Sequence, residues 1–299
     1  MKFGIDISEH QKGINFDEIL AEGVEYIIIR ASYGTREDYQ FKTFYDECKK
    51  RNIPVGAYLF STAMSIEGAK HEAKYLANRL NGLKFEYPIY YDFERKSQLG
   101  LGKKTVTDMI VSFCEEMQNN GYYVGVYSYL SGFYSMDLDR LEPYCKWIAQ
   151  YNTKCDYKRD YGMWQFGGEV NLIRSNKIAG YVCDQDYCYI DYPSIIKQGY
   201  NGYQSTDLTE VARQVILGAW GNGESRKQAL EANGYDYEKV QAKVNELLNA
   251  KVKTNEDIAK EVIEGKWGNM PVRKNKLISA GYDYEEIQKL VNDMMKNKR

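Results

Sequence analysis

Apolar residues come in short runs over the first two thirds of the chain and in helical stripes over the last third. Runs rich in Ile, Val, Phe and Tyr, bounded by turn residues, predict strands at Lys2–Ile7, Tyr26–Ala31, Val55–Phe60, Pro88–Phe93, Tyr123–Tyr127, Lys146–Gln150, Gly162–Phe166 and Ile178–Cys183. Amphipathic stretches predict helices near Phe16–Glu22, Phe41–Arg51, Ile66–Leu80 and Lys104–Asn119, with a shorter one near Ser131–Leu141. Strand–helix alternation predicts a parallel sheet, and eight strands predict closure into a barrel. The last three strands are joined by segments too short, or too rich in Gly and Asp, for full crossover helices. The expected fold is therefore α/β: an irregular TIM-like barrel of about eight strands and five helices.

Beyond Gly199–Thr206, which reads as a linker, the pattern changes to helix formers. This tail is an internal repeat. Trp220-Gly221-Asn222 recurs as Trp267-Gly268-Asn269, Arg226-Lys227 as Arg273-Lys274, and Gly234-Tyr235-Asp236-Tyr237 as Gly281-Tyr282-Asp283-Tyr284, always 47 positions on. Each copy predicts a small all-α module of three helices. A stripe through Val211, Val215 and Ile216 is matched by Ile258, Val262 and Ile263. Gly234 suits a helix stop, and Asp236 an N-cap for the helix carrying Val240 and Val244. The domains expected are 1–200 for the barrel, 201–206 for the linker, and 207–250 and 254–297 for the repeats.

Charge narrows the partners. The net charge is −2, and residues 1–203 hold 24 basic and 27 acidic side chains against 16 and 15 in the rest. No basic stripe exists to neutralise phosphates, so nucleic acid is not an expected partner. No stretch approaches the ~20 apolar residues of a membrane span, so stable membrane association is not expected either. Six cysteines without a Cys-x-x-Cys pair, and two histidines, give no basis for a metal or other cofactor. Buried free thiols are expected; a Cys183–Cys188 disulfide is an open alternative. Tyrosine is abundant, with 24 of the 28 in residues 1–203. Its flat face and polar tip suit sugar rings and ordinary cores alike.

The candidate chemistry lies in Tyr90-Tyr91-Asp92-Phe93-Glu94. Acids at i and i+2 on a strand share a face, and a buried carboxylate is costly unless paired. Two such carboxylates are what glycosidic cleavage needs, one protonated to donate and one ionised to support positive charge. Asp6 ends the first predicted strand, and Asp184 and Asp186 follow the last. In a closed barrel those strands are neighbours. Asp6, Asp92, Glu94 and Asp184 would then meet at the C-terminal mouth and raise one another's pKa values.

These segments closely resemble the glycoside hydrolase family 25 lysozymes, the N-acetylmuramidases of phages and bacteria. The matching elements are Gly4-Ile5-Asp6-Ile7-Ser8, Ile27–Ala31 with Gly34, Gly56–Phe60, Tyr91–Glu94, Gly125–Ser128, Trp147–Tyr151, Trp164-Gln165-Phe166 and Asp184-Gln185-Asp186. The resemblance implies Glu94 as general acid, Asp92 as the acid that stabilises the reacting centre or orients an acetamido group, and Asp6 and Asp184 as flanking acids. It leaves open which of Asp184 and Asp186 is the family's acid, because many relatives carry Asn at the second position. Arg30, Tyr58, Tyr127, Trp164 and Gln165 are expected to line the substrate cleft. The tail resembles the type 7 cell-wall-binding repeats, which implies muropeptide contacts through Arg226, Arg273, Trp220, Trp267, Tyr237 and Tyr284.

The function so implied is cleavage of the β-1,4 bond after N-acetylmuramic acid in peptidoglycan. A chitinase-like endo-N-acetylglucosaminidase is the alternative, but its longer motif wants Asp where Tyr87 and Tyr90 stand. A non-catalytic wall-binding protein would not need four acids. Met1 leads straight into a strand without a secretory signal. The expected location is thus a host cytoplasm and then the cell wall, reached through a membrane hole. An autolysin exported by another route is the alternative.

Overall fold

The computed structural model describes residues 1–203, 208–249, 254–268, 272–280 and 282–296. The chain divides into two compact units, Met1–Asp207 and Leu208–Arg299. Of the expected linker, Gln204–Thr206 lie outside the described residues, as do Asn269 and the helix-stop Gly281.

In the first unit eight strands close a ring. They are β1 (Lys2–Ile7), β2 (Tyr26–Tyr33), β4 (Val55–Phe60), β5 (Ile89–Asp92), β6 (Val124–Tyr129), β7 (Cys145–Ala149), β8 (Met163–Gly167) and β11 (Asp184–Cys188). β3 (Arg36–Glu37) forms a hairpin with the end of β2. The strands from β1 to β8 pair in parallel around the ring, but β11 runs antiparallel to both β8 and β1. This corrects the expected eighth strand. Residues around Ile178 instead form a small hairpin of β9 (Lys177–Ile178) and β10 (Tyr181–Val182), apart from the barrel. With no crossover helix after β8, the chain can return only in the opposite direction.

Alternation along each strand splits the core into two layers. Odd-numbered Ile27, Ile29, Ile89, Tyr91 and Phe93 face outward with the helices. Tyr26, Ile28, Tyr58, Tyr90 and Trp147 fill the barrel. Gly4 and Gly125 make room for this tyrosine-rich interior. A Cβ at Gly4 would overlap the Tyr26 ring, and one at Gly125 would strike Tyr90 and Cys145.

The outer helices are α1 (Phe16–Ala21), α2 (Phe41–Lys50), α3 (Ile66–Leu80), α4 (Lys96–Leu99), α5 (Lys103–Asn119), α6 (Leu130–Phe133) and α7 (Tyr192–Ile196). The helix expected over Ser131–Leu141 shrinks to the single turn of α6. Asn201 is not spacer. It is fully buried, accepts from Tyr123 N at 2.7 Å and donates to Tyr87 O at 2.8 Å, tying together the entries to β5 and β6. All six cysteines are free. Cys183 joins the outer layer and Cys188 the barrel interior, so the two thiols belong to opposite faces.

The second unit contains two three-helix repeats. The first has α8 (Thr209–Ile216), α9 (Gly223–Ala232) and α10 (Tyr237–Asn249) around Val211, Val215, Leu230, Val240 and Val244. The second has α11 (Asn255–Ile263), α12 (Val272–Ser279) and α13 (Tyr284–Lys296) around Ile258, Val262, Leu277, Ile287 and Val291. Gly234 has φ +76°, as a helix stop requires. Asp236 accepts from Lys239 N at 3.1 Å, capping the third helix as its position predicts. Ile216 leaves the predicted stripe and is exposed.

Candidate active site

Several strands carry a polar side chain on their inward face at one mouth of the barrel. β1 ends with Asp6 there, β2 with Arg30, β4 with Tyr58 and Phe60, β5 with Asp92, β6 with Tyr127 and β8 with Gln165. Because β11 runs backwards, its first residue sits at the same mouth, and Asp184 pairs directly with Asp6. Thus the expected convergence occurs, with Asp184 at the start of the last strand rather than its end. Together with Glu94, these side chains line a single cleft.

Hydrogen bonds fix the walls. Tyr127 Oη donates to Gln165 Oε1 at 2.8 Å, which orients the amide so that Nε2 donates to Asp6 Oδ2, also at 2.8 Å. Arg30 Nε donates to the buried Asp38 at 2.8 Å, and its Nη2 lies 3.0 Å from Glu9. Tyr151 Oη donates to Asp184 Oδ1 at 2.5 Å. Asp92 is buried, and its Oδ1 has no hydrogen-bond partner among the described residues.

Five acids in so little space cannot all ionise freely. Burial raises the pKa of Glu94 and Asp184 above their ordinary values, and those of Asp6, Asp92 and Asp186 well above them. The neighbouring negative charges add to this, with Asp184 acting on Glu94 and Glu94 on Asp92. Arg30 opposes the rise at Asp92, and the Tyr151 hydrogen bond opposes it at Asp184.

Asp186 was left open by the sequence. It is fully buried, one step deeper on β11 than Asp184, and faces Gly4 across β1. Its Oδ1 accepts from Trp147 Nε1 at 2.7 Å, and the Asp6 charge beside it adds to the rise that burial causes in its pKa.

Glu94 differs from its neighbours. It is half-buried, and burial and the Asp184 charge are what move its pKa. A second hollow adjoins the cleft, lined by Tyr129, Leu130, Ser131 and Tyr151, and it shares Glu94, Tyr127 and Gln165 with the first. Glu94 therefore stands where the two hollows meet.

Arg30, Tyr58, Tyr127 and Gln165 line the cleft as expected; Trp164 does not. Its neighbour Gln165 faces inward, so Trp164 faces out, packs in the outer layer and donates Nε1 to Gln150 O at 2.8 Å. The cleft's indole is Trp147. Strand alternation was the available signal, since Trp147 and Ala149 share the inner face with Tyr90.

In the repeats the duplicated residues form duplicated contacts. Trp220 Nε1 donates to Gln214 Oε1 at 3.1 Å, and Trp267 Nε1 to Glu261 Oε2 at 3.2 Å. Each indole meets a tyrosine edge-on, Tyr235 at 5.8 Å and Tyr282 at 6.0 Å. Arg226 Nε donates to Gly221 O at 3.1 Å, and Arg273 Nε to Gly268 O at 3.0 Å. Each arginine thus staples the turn between two helices. Lys227 lies over the Tyr237 ring at 6.0 Å and Lys274 over Tyr284 at 4.9 Å.

Comparison with known proteins agrees with this geometry. Residues 5–173 match Glycosyl hydrolases family 25, and residues 209–248 and 256–295 each match the CW_7 repeat. An autolytic lysozyme of Clostridium acetobutylicum is 30% identical over 175 residues, covering 57% of this chain and 52% of that protein. The chain therefore spans about half the length of that relative. A lysozyme of Streptococcus phage Cp-7 is 29% identical over 260 residues, or 81% of this chain and 69% of that one. Among solved structures, the CTP1L endolysin superposes with a TM-score of 0.57 at 25% identity, covering 66% of this chain and 70% of that one. The autolysin LytC of Streptococcus pneumoniae, solved with a synthetic peptidoglycan ligand, gives 0.55 at 26% identity over 63% of this chain and 46% of that one. The chain belongs to glycosyl hydrolases family 25 and carries two CW_7 repeats behind its barrel.

Proposed function

We propose that this chain is a peptidoglycan hydrolase of the endolysin type that cleaves the β-1,4 bond between N-acetylmuramic acid and N-acetylglucosamine. The observation that carries the reading is the position of Glu94 at the junction of two hollows, within a cluster of acids whose burial and mutual charges raise their pKa values. A glycan strand lying through both hollows has its scissile oxygen beside that carboxyl. The names of the relatives, lysozymes and endolysins, point to the same chemistry.

Glu94 serves as proton donor to the leaving oxygen. Asp92, behind it, is pushed up more strongly by burial, but geometry decides between them: Glu94 reaches both hollows and Asp92 only one. Asp92 supports the reacting centre or orients the substrate's acetamido group, with Arg30 favouring its ionised form. Asp6 and Asp184 tune the pair. Tyr58, Tyr127 and Trp147 supply ring surface to the sugar.

The CW_7 repeats hold the enzyme on the wall by binding muropeptide. Two tethered sites raise retention through effective concentration. The Trp–Tyr pair and the Lys–Tyr pair, each present twice, are the surfaces offered for it.

The test is to digest purified peptidoglycan and identify the new reducing ends by mass spectrometry. Muramic acid at those ends supports this reading. N-acetylglucosamine there would establish the chitinase-like alternative, and no new ends would leave a wall-binding protein.

A further inference from the structure

One irregularity in the barrel has no role in its core. β2 pairs with β4 in steady register from Ile27 to Arg30, and then skips a residue, so that Ser32 faces Leu59 and Tyr33 faces Phe60. The extra residue is Ala31. Without this bulge Tyr33 would continue the outward series of Ile27, Ile29 and Ala31. With it, Tyr33 turns to the inner side, above the cleft. Bulges beside active sites commonly re-aim a side chain in this way.

The re-aimed ring lands on Phe60, which lines the cleft. The two rings are parallel within 7°, with centroids 4.7 Å apart. Tyr33 keeps 38% of its surface exposed, so the stack ends at solvent rather than in core. The support is rigid. Gly34 N donates to Phe60 O at 2.7 Å, and Gly34 takes φ +56° to turn the β2–β3 hairpin. Arg36, on that hairpin, lies 5.8 Å from the Tyr33 ring and 5.4 Å from the Tyr39 ring. Glu9 holds the guanidinium through two hydrogen bonds of 3.1 and 2.8 Å. An exposed aromatic fixed by a bulge, a turn and a clamped arginine is organised for contact with something outside.

We propose that Tyr33, backed by Phe60, is an outer subsite that stacks a hexosamine ring of the glycan strand beyond the rings bound beside Glu94. The occupant follows from continuity with the cleft: a polymer lying along Phe60 passes Tyr33 next, and sugar faces stack on aromatic rings. The inference rests on the glycan-hydrolase reading of the cleft. It extends that reading to substrate length, since only chains long enough to reach the rim gain from Tyr33.

Two measurements test it on the full-length chain. In the first, kcat/KM is compared for peptide-free glycan strands and for a four-sugar fragment. Tyr33→Ala is expected to lose about three- to tenfold on the strands, the worth of one aromatic contact, and little on the fragment. Tyr33→Phe keeps the ring and should match the wild type on both. Equal losses on both substrates, or none on either, would overturn the proposal. In the second, strands are titrated into Glu94→Gln chains with and without Tyr33→Ala. A three- to tenfold weaker Kd supports the subsite, and an unchanged Kd removes it. Because this second result needs no turnover, a wild-type chain that released no reducing ends would refute the hydrolase reading while the titration still decided the role of Tyr33. Thermal melts of each variant serve as the folding control.

Discussion

Tyr151, just past the end of β7, donates a 2.5 Å hydrogen bond to Asp184 at the start of β11. Gly168, past β8, leaves the space for it, since a Cβ there would strike both partners. Asp184 is also faced by Glu94, Asp6, Asp186 and Glu169, all acids. The phenol is thus the group that favours the ionised form of Asp184 against burial and those charges.

Removing that bond should raise the Asp184 pKa further. If catalysis needs Asp184 ionised beside a protonated Glu94, the acid limb of the kcat/KM profile moves to higher pH. Tyr151→Phe should therefore lose about tenfold on the acid side, the scale of a charge-assisted hydrogen bond, and less near neutrality. Gly168→Ala should do the same. A uniform loss with an unmoved limb would mean that Tyr151 only shapes the loop.

Glu94→Gln should lower hydrolysis by about 10²–10⁴-fold, the usual weight of a general acid. Wall retention and the thermal midpoint should hold. Reducing-sugar release measures the first, and pull-down with walls the second. Activity within about threefold of the wild type would assign the proton to another acid of the cluster.

Asp186→Asn offers a test by stability. Asp186 accepts from Trp147 Nε1 beside the Asp6 charge, and an Asn amide keeps that acceptor without placing a second charge there. The folded-state pKa of Asp186 is raised, so the native state binds the extra proton. Its stability contribution is full below the unfolded value, ~3.9, and is lost as pH climbs through the folded value. The Asn variant escapes that loss. It should melt higher than the wild type near pH 7 and match it near pH 3. Each kcal/mol of relief reads as roughly 2–4 °C in a domain of this size. Activity should stay within a few-fold.

The repeats call for a variant pair. On sequence alone Arg226 and Arg273 have no packing duty, and double alanine substitution would release the tail from walls without cost to its helices. The structure gives both side chains a carbonyl to hold. Arg226→Ala/Arg273→Ala should therefore also lower the tail's melting stability, by about 1 kcal/mol per lost hydrogen bond. Circular dichroism melts show this. Lost wall retention at a temperature where the helices remain intact would still assign the arginines to the ligand.

Much of the fold was legible because the strands advertise themselves. Ile27–Ile29 and Ile89–Tyr91 are apolar on both faces, as buried barrel strands are, and the phase of the second run sends Asp92 inward. The eighth strand lies one step past the apolar run at Ile178–Cys183, in Asp184–Cys188, which carries two acids. Its acids are held inside a cleft that supplies hydrogen-bond donors in Tyr151 and Trp147. Trp164 has the residue type of a cleft-lining aromatic, but its strand phase turns it outward. The bulge at Ala31 had no local signature, since it is set by the pairing of β2 with β4. Asn201 looked like linker because the two backbone groups it binds, at Tyr87 and Tyr123, lie far off in sequence.

The reversed β11 has a consequence for the birth of the molecule. The ring closes by pairing Lys2–Asp6 with Asp184–Cys188, almost the whole length of the unit apart. Such contacts carry the largest loop-closure entropy and tend to form late. Asp6 and Asp184 meet only at that moment, so the cleft does not exist in a partly synthesised chain. A ribosome still short of Cys188 carries no assembled cluster of acids, and lytic capacity should switch on in one step as the barrel shuts.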